Sequence, residues 1–200
     1  MSKLIIITAP SGAGKTSIVR RLLEKFDHLA FSISATTREK RPHEIDGVDY
    51  YFISHEEFKQ RIVKGDFAEW EEVYENQFYG TLKSEIDRIW ALGKHIIFDI
   101  EVKGAQNIKK EYGDQALAIF IKPPSLEVLI ERLESRKTEN EKSLKKRIKR
   151  AKKELEYENK FDKVLVNDIL DDAVLEAESM LETFLEKQTH TKLKDGNAYY

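Results

Sequence analysis

The chain has no cysteine in its 200 residues. That removes disulfides and thiolate metal sites, and it agrees with a reducing, cytoplasmic setting. It has no excess of one charge: 34 Lys and Arg stand against 36 Asp and Glu, a net charge of −2. Nothing in bulk therefore points to a nucleic acid or a membrane surface as partner. It has no long apolar run, since Leu4–Ile7 is too short for a leader or a membrane span. No repeat or low-complexity linker interrupts it. The five histidines, His28, His43, His55, His95 and His190, show no ligand spacing, which argues against a zinc site. What remains is ordinary: 40% hydrophobic and 35% charged residues, enough to bury a core as one domain with insertions or two small lobes.

Four short β-branched runs, Lys3–Thr8, His95–Ile100, Ala116–Ile121 and Lys163–Asn167, lack polar alternation. They read as strands buried on both faces, with Ala30–Ser34 as a fifth. Between them, Ile18, Leu22, Leu23 and Phe26 share a helix face, and Ala173 to Leu185 keep helical spacing. The alternation predicts an α/β fold: a central parallel sheet flanked by helices. Two segments break it. Residues 35–83 are polar and aromatic and read as a small antiparallel lobe. Residues 135–153 are dense in Lys, Arg and Glu. Both read as insertions at the carboxyl edge of the core sheet, where α/β proteins bind ligands. The core is expected at 3–34, 84–134 and 154–187, and 188–200 reads as a flexible tail. Trp70 and Trp90 read as core residues, His55 as a helix start.

The strongest motif is Ala9-Pro10-Ser11-Gly12-Ala13-Gly14-Lys15-Thr16-Ser17, between a strand and a helix. This is the context of a phosphate-binding loop: small residues let backbone N–H groups surround a phosphate, and the helix N-terminus adds partial positive charge. Lys15 suits β- and γ-phosphate oxygens, and the Thr16 hydroxyl suits Mg²⁺, so ATP with Mg²⁺ is the expected ligand. Ala9 stands where the common pattern has glycine. The loop does not say where the phosphate goes.

Arg38 and Arg41 are three apart in a loop that continues into Pro42. Two guanidinium forks converging there suit a phosphate dianion. Carboxylates and phenols follow in Asp49-Tyr50-Tyr51-Phe52, Phe67-Ala68-Glu69-Trp70 and Phe78-Tyr79-Gly80-Thr81. Together with the phosphate loop, SATTR, FDIE, RLESR and VND, these segments resemble the guanylate kinase family from about Lys3 to Leu185.

The resemblance implies a P-loop kinase fold with a GMP-binding lobe and a mobile lid, and an enzyme that converts ATP and GMP to ADP and GDP, with dGMP a weaker substrate. It implies that Arg38, Arg41, Tyr50 and Tyr79 hold the GMP phosphate, and that Ser34, Glu69 and Thr81 read guanine, with Glu101 nearby. It places Asp99 with Thr16 at Mg²⁺, and Arg132, Arg136 and Arg147 in the lid. Where the family commonly has aspartate, often glutamine, and glycine, this chain has Glu101, Lys103 and Lys137. Lys142, Lys145, Lys146, Lys149, Lys152 and Lys153 read as a solvated face. Asn167 could approach either the adenine or a turn. A silent protein-binding relative is disfavoured by Lys15, Thr16, Arg136 and Arg147. A kinase for another acceptor is disfavoured by Ser34, Glu69 and Thr81. Monomer and homodimer both stay open.

Overall fold

Leu4–Thr8 forms strand β1, buried along its whole length. Leu4 and Ile6 enter one hydrophobic cluster while Ile5 and Ile7 enter another, which is why the run shows no polar alternation. The computed structural model describes residues 2–135 and 141–186, without the side chains of 141–143. After β1 come α1 (Lys15–Lys25), β2 (Leu29–Phe31), β3 (Ala35–Thr36), β4 (Tyr51–Phe52), α2 (His55–Lys64), β5 (Phe67–Tyr74) and β6 (Gln77–Leu82). The chain continues through α3 (Lys83–Ala91), β7 (His95–Asp99), α4 (Val102–Tyr112), β8 (Ala116–Lys122), α5 (Leu126–Glu134), α6 (Glu141–Leu155), β9 (Lys163–Val166) and α7 (Leu170–Glu186).

The core sheet has the order β2-β7-β1-β8-β9, and every pairing in it is parallel. One face packs Ile18, Val19 and Leu22 of α1 and Ala173, Ala177 and Leu181 of α7. The other packs Ile86 and Ile89 of α3 and Ala105 and Ile108 of α4. The carboxyl ends of β1 and β7 lie side by side, Ile7 beside Asp99. This brings the phosphate loop next to Asp99.

The second sheet has the order β4-β3-β6-β5. β5 and β6 form an antiparallel hairpin and β3 joins β6 antiparallel, but β4 joins β3 in parallel. The loop between β3 and β4 brings the chain back in its starting direction, so the lobe is mixed rather than purely antiparallel. Its core is Ala35, Phe58, Phe67 and Leu82. α2 begins at His55, and Ser54 caps it by accepting from the Glu57 N–H.

Several expected boundaries shift. The strand expected at Ala30–Ser34 runs from Leu29 to Phe31, because the chain then crosses to the other sheet, the Ser34 carbonyl already accepting from Tyr51 N–H. The strand expected at His95–Ile100 ends at Asp99, and Glu101 beyond it is the N-cap of α4. Trp90 packs on the core, whereas Trp70 is 42% exposed: β5 turns that side chain outward and Glu69 inward. The basic segment is also less uniform than its composition suggests. Lys145, Lys146, Lys149, Lys152 and Lys153 are exposed, while Leu144, Ile148, Ala151 and Leu155 seat α6 on Leu129 and Leu133 of α5. Arg136, Lys137, the side chain of Lys142 and the 188–200 tail lie outside the described residues. No helix among the described residues is long and apolar enough to cross a membrane.

Candidate active site

The phosphate loop bends back on itself through left-handed turns at Gly12 (φ 93°) and Gly14 (φ 91°), a region side chains rarely enter. Gly14 is also the N-cap of α1, so the first N–H groups of that helix open toward the loop. A β-carbon on Gly14 would collide with the side chain of Asn167, whose Nδ2 donates to the Ala13 carbonyl at 2.8 Å. Asn167 is therefore a brace behind the loop.

The loop borders a cavity of about 600 Å³ whose lining includes Ala9, Pro10, Ser11, Gly12, Gly14, Lys15, Thr16 and Ser17. Ser34, Tyr50, Asp99, Glu101 and Arg147 line it as well. Ala13 is buried behind it. Lys15 Nζ pairs with Asp99 Oδ1 at 2.6 Å and donates to the Ile100 carbonyl at 3.2 Å. Burial opposes its charge, but Asp99, with Glu101 and Glu154 nearby, outweighs burial and raises the pKa. Thr16 Oγ1 donates to the other Asp99 oxygen at 3.2 Å. Arg147 Nη2 reaches Ser11 Oγ at 2.5 Å.

A second cavity, of about 200 Å³, adjoins the first, and Lys15, Ser34, Tyr50, Asp99 and Glu101 border both. Glu69, Tyr79 and Gly80 enter it from the lobe. Glu69 is 7% exposed, and its Oε1 accepts from Thr81 Oγ1 at 2.7 Å. Burial pushes its pKa up to about 7 despite that bond. Thr81 lies behind Glu69 and outside the lining, so it acts on the site through the carboxylate. Tyr50 and Tyr79 meet edge to face, 6.0 Å between ring centres.

Arg38 does not line either cavity. Its guanidinium makes a two-pronged pair with Glu44, at 2.7 and 2.6 Å, and lies 5.0 Å from the centre of the Tyr50 ring. Glu44 also accepts the Arg41 backbone N–H at 2.8 Å. It is 6% exposed, and the Arg38 guanidinium holds its carboxyl down at about 2. The Arg41 side chain is largely exposed. Arg132 departs from the place expected of a lid cation. It donates to the carbonyls of Asn167 and Asp168 at 2.9 and 3.2 Å, tying α5 to the turn after β9, outside the cavity lining.

A cradle for a polyphosphate thus shares a wall with a smaller pocket containing a buried carboxylate. A guanylate kinase family profile matches residues 1–184. The chain belongs to the guanylate kinase family. It is 50% identical over 188 residues to the guanylate kinase of Porphyromonas gingivalis, covering 94% of this chain and all of that one. It is 50% identical over 182 residues to that of Salinibacter ruber, covering 91% and 96%. The crystal structure of guanylate kinase from Anaplasma phagocytophilum superposes with a TM-score of 0.71 at 25% identity, over 91% of this chain and 85% of that one.

For a guanylate kinase relative, several residues that the sequence reading passed over stand close to the site. Glu44 binds Arg38, and Gly104 leaves room for Glu69. Arg150 reaches from α6 to Glu101, and Glu154 lies below it, its Oε1 accepting from Arg150 at 2.7 Å. Of these, only Glu44 had a local signal: an acid three residues after Arg41 and six after Arg38.

Proposed function

We propose that this chain transfers the γ-phosphoryl group of ATP to GMP, giving ADP and GDP. The observation that carries this reading is that the buried Glu69 pocket and the phosphate loop share Lys15, Asp99 and Glu101 as one wall. Residues 9–17 would hold the ATP phosphates. Glu69, with Ser34, Thr81 and Glu101, would read the base. Guanine offers N1–H and a 2-amino group to the two oxygens of a carboxylate, whereas adenine offers neither. An adenine there would offer the buried Glu69 carboxylate no donor, a mismatch of the kind that gives roughly 10⁴-fold rejection. Tyr50, Tyr79, Arg38 and Arg41 would take the GMP phosphate, Arg38 while steadied by Glu44 and Arg41 by turning in from solvent.

In this account a GMP phosphate oxygen, already ionised, attacks the γ-phosphorus in line as the bond to the β,γ-bridging oxygen breaks. No general base is needed. The chain's task is to orient the two nucleotides, exclude water and place cations beside the developing charge. Lys15, Arg147 and Arg136 would supply that charge. Arg132 would act at one remove, through the turn that carries Asn167.

Mg²⁺ fits this site only together with a nucleotide. The described residues contain no cluster of three or more metal-ligating side chains, but the Thr16 hydroxyl and the Asp99 carboxylate adjoin at the loop. They would hold an ion shared with ATP phosphates, which supplies charge neutralisation at those oxygens. The division into core, GMP-binding lobe at 35–83 and lid at about 135–153 is supported by the second sheet and by the separate α5–α6 cluster. A cytoplasmic setting agrees with the absence of cysteine.

The test is ADP formation from ATP and Mg²⁺ with GMP, dGMP, AMP, UMP or CMP as acceptor. GMP is expected to lead by orders of magnitude, with dGMP weaker. Transfer to another acceptor but none to GMP would overturn the proposal.

A further inference from the structure

Arg150 presents its guanidinium to three elements at once. Nε donates to Glu154 Oε1 at 2.7 Å on its own helix, Nη1 donates to the Val73 carbonyl at 3.2 Å on β5, and Nη2 donates to Glu101 Oε2 at 2.9 Å at the head of α4. It also stands 5.6 Å from the centre of the Tyr74 ring. The guanidinium serves these acceptors from three separate nitrogens of one plane, whereas a lysine ammonium would have to serve all three from a single atom. Glu101 is the N-cap of α4 but makes no capping bond with its side chain. Its carboxylate is instead directed by Arg150, at the junction of the two cavities. Arg147, one turn earlier on the same helix, donates to Ser11 in the phosphate loop. Both arginines border the larger cavity, and Arg150 reaches from there to Glu101 and Val73, two residues that line the guanine pocket.

We propose that Arg150 is a positioning residue for guanine recognition: it orients the Glu101 carboxylate at the pocket and, by gripping Val73, ties α6 to the guanine lobe. The proposal rests on the guanylate kinase reading. It gives the longer Glu101 side chain a defined place, because its reach is set by a partner on α6 rather than by its own helix. The half-exposed position of Glu101 makes Coulomb energy alone a weak explanation. The geometric restraint carries the effect: a mobile carboxylate loses entropy on binding the base, and a held one does not.

The experiment measures steady-state kinetics for both substrates in wild type, Arg150→Met, Arg150→Lys, Glu101→Gln and the double variant Arg150→Met/Glu101→Gln, with thermal midpoints to confirm folding. Arg150→Met is expected to raise the KM for GMP about tenfold, to lower the GMP-over-AMP ratio in kcat/KM, and to leave the KM for ATP within about twofold. Arg150→Lys should fall between, since it keeps the charge but not the fork. The double variant should be no worse than the poorer single, the non-additivity expected of residues acting as one unit. Equal loss for ATP and GMP, or full additivity with Glu101→Gln, would show a structural role only and overturn the inference. A GMP KM and base preference unchanged in Arg150→Met would also overturn it. If wild type fails to phosphorylate GMP, the parent reading fails instead, and the two failures are told apart by that first measurement.

Discussion

Oε2 of Glu69 occupies the space that a β-carbon on Gly104 would need: the added carbon would collide with that oxygen and lie 3.1 Å from the carboxyl carbon. Gly104 sits inside α4, where glycine ordinarily costs about 0.5–1 kcal/mol relative to alanine. The helix accepts glycine here because the base-reading carboxylate needs the room. Gly104→Ala is therefore expected to raise the KM for GMP at least about tenfold while the KM for ATP stays nearly constant. Kinetics with each substrate varied in turn would check this, and an unchanged GMP KM would mean that Glu69 tolerates displacement.

The raised pKa of Glu69, about 7, gives a pH dependence with a definite sign. The folded chain keeps a proton that the unfolded chain releases at lower pH. Glu69 therefore costs stability as pH rises from its ordinary value through 7, and the cost is fully present above 7. Guanine binding needs the ionised form, so the KM for GMP should rise as pH falls below 7, by at most about tenfold per unit. Because the GMP phosphate also titrates near this range, with a second pKa of about 6, the control is Glu69→Gln, which should flatten the Glu69 component. Profiles of kcat/KM for GMP between pH 5.5 and 8.5, run on both proteins, separate the two groups.

The Asn167 brace makes a claim on the other substrate. Asn167→Ala leaves the buried Ala13 carbonyl without its donor, a loss worth roughly 1–3 kcal/mol. The thermal midpoint should fall, and the KM for ATP should rise more than that for GMP. A selective effect on GMP would contradict the placement.

Glu44 should behave as the keeper of Arg38. Glu44→Ala releases the guanidinium and the Arg41 N–H together, and kcat/KM for GMP is expected to drop by about tenfold or more with ATP little affected. Its depressed pKa adds a second check. The stability that Glu44 provides is present above the ordinary carboxylate range and is lost as pH falls toward 2. Wild type should therefore lose more stability on acidification than Glu44→Gln.

Much of this was legible in the residues, and the limits have physical causes. The phosphate loop is contiguous, so its glycines, Lys15 and Thr16 declare themselves locally. The core strands read cleanly because burial on both faces leaves an unbroken β-branched run. The acceptor pocket was legible only as scattered segments, since Glu69 and Thr81 meet across a hairpin. Glu101 with Arg150 and Ala13 with Asn167 are separated by 49 and 154 residues, and no local spacing reports such pairs. Gly104 looked like any helical glycine, because its reason is the side chain of another element. Trp70 misled for a related cause: an aromatic residue in a strand suggests burial, but register sent its neighbour Glu69 inward.

The central claim is that the buried carboxylate of Glu69 selects guanine beside a working ATP cradle. It is tested most directly by the ratio of kcat/KM for GMP over AMP in wild type and in Glu69→Gln. That ratio is expected to fall by about 100-fold or more in the variant, mainly through GMP, since the amide presents one acceptor where the carboxylate presents two. A folded Glu69→Gln protein that kept the wild-type ratio would contradict it.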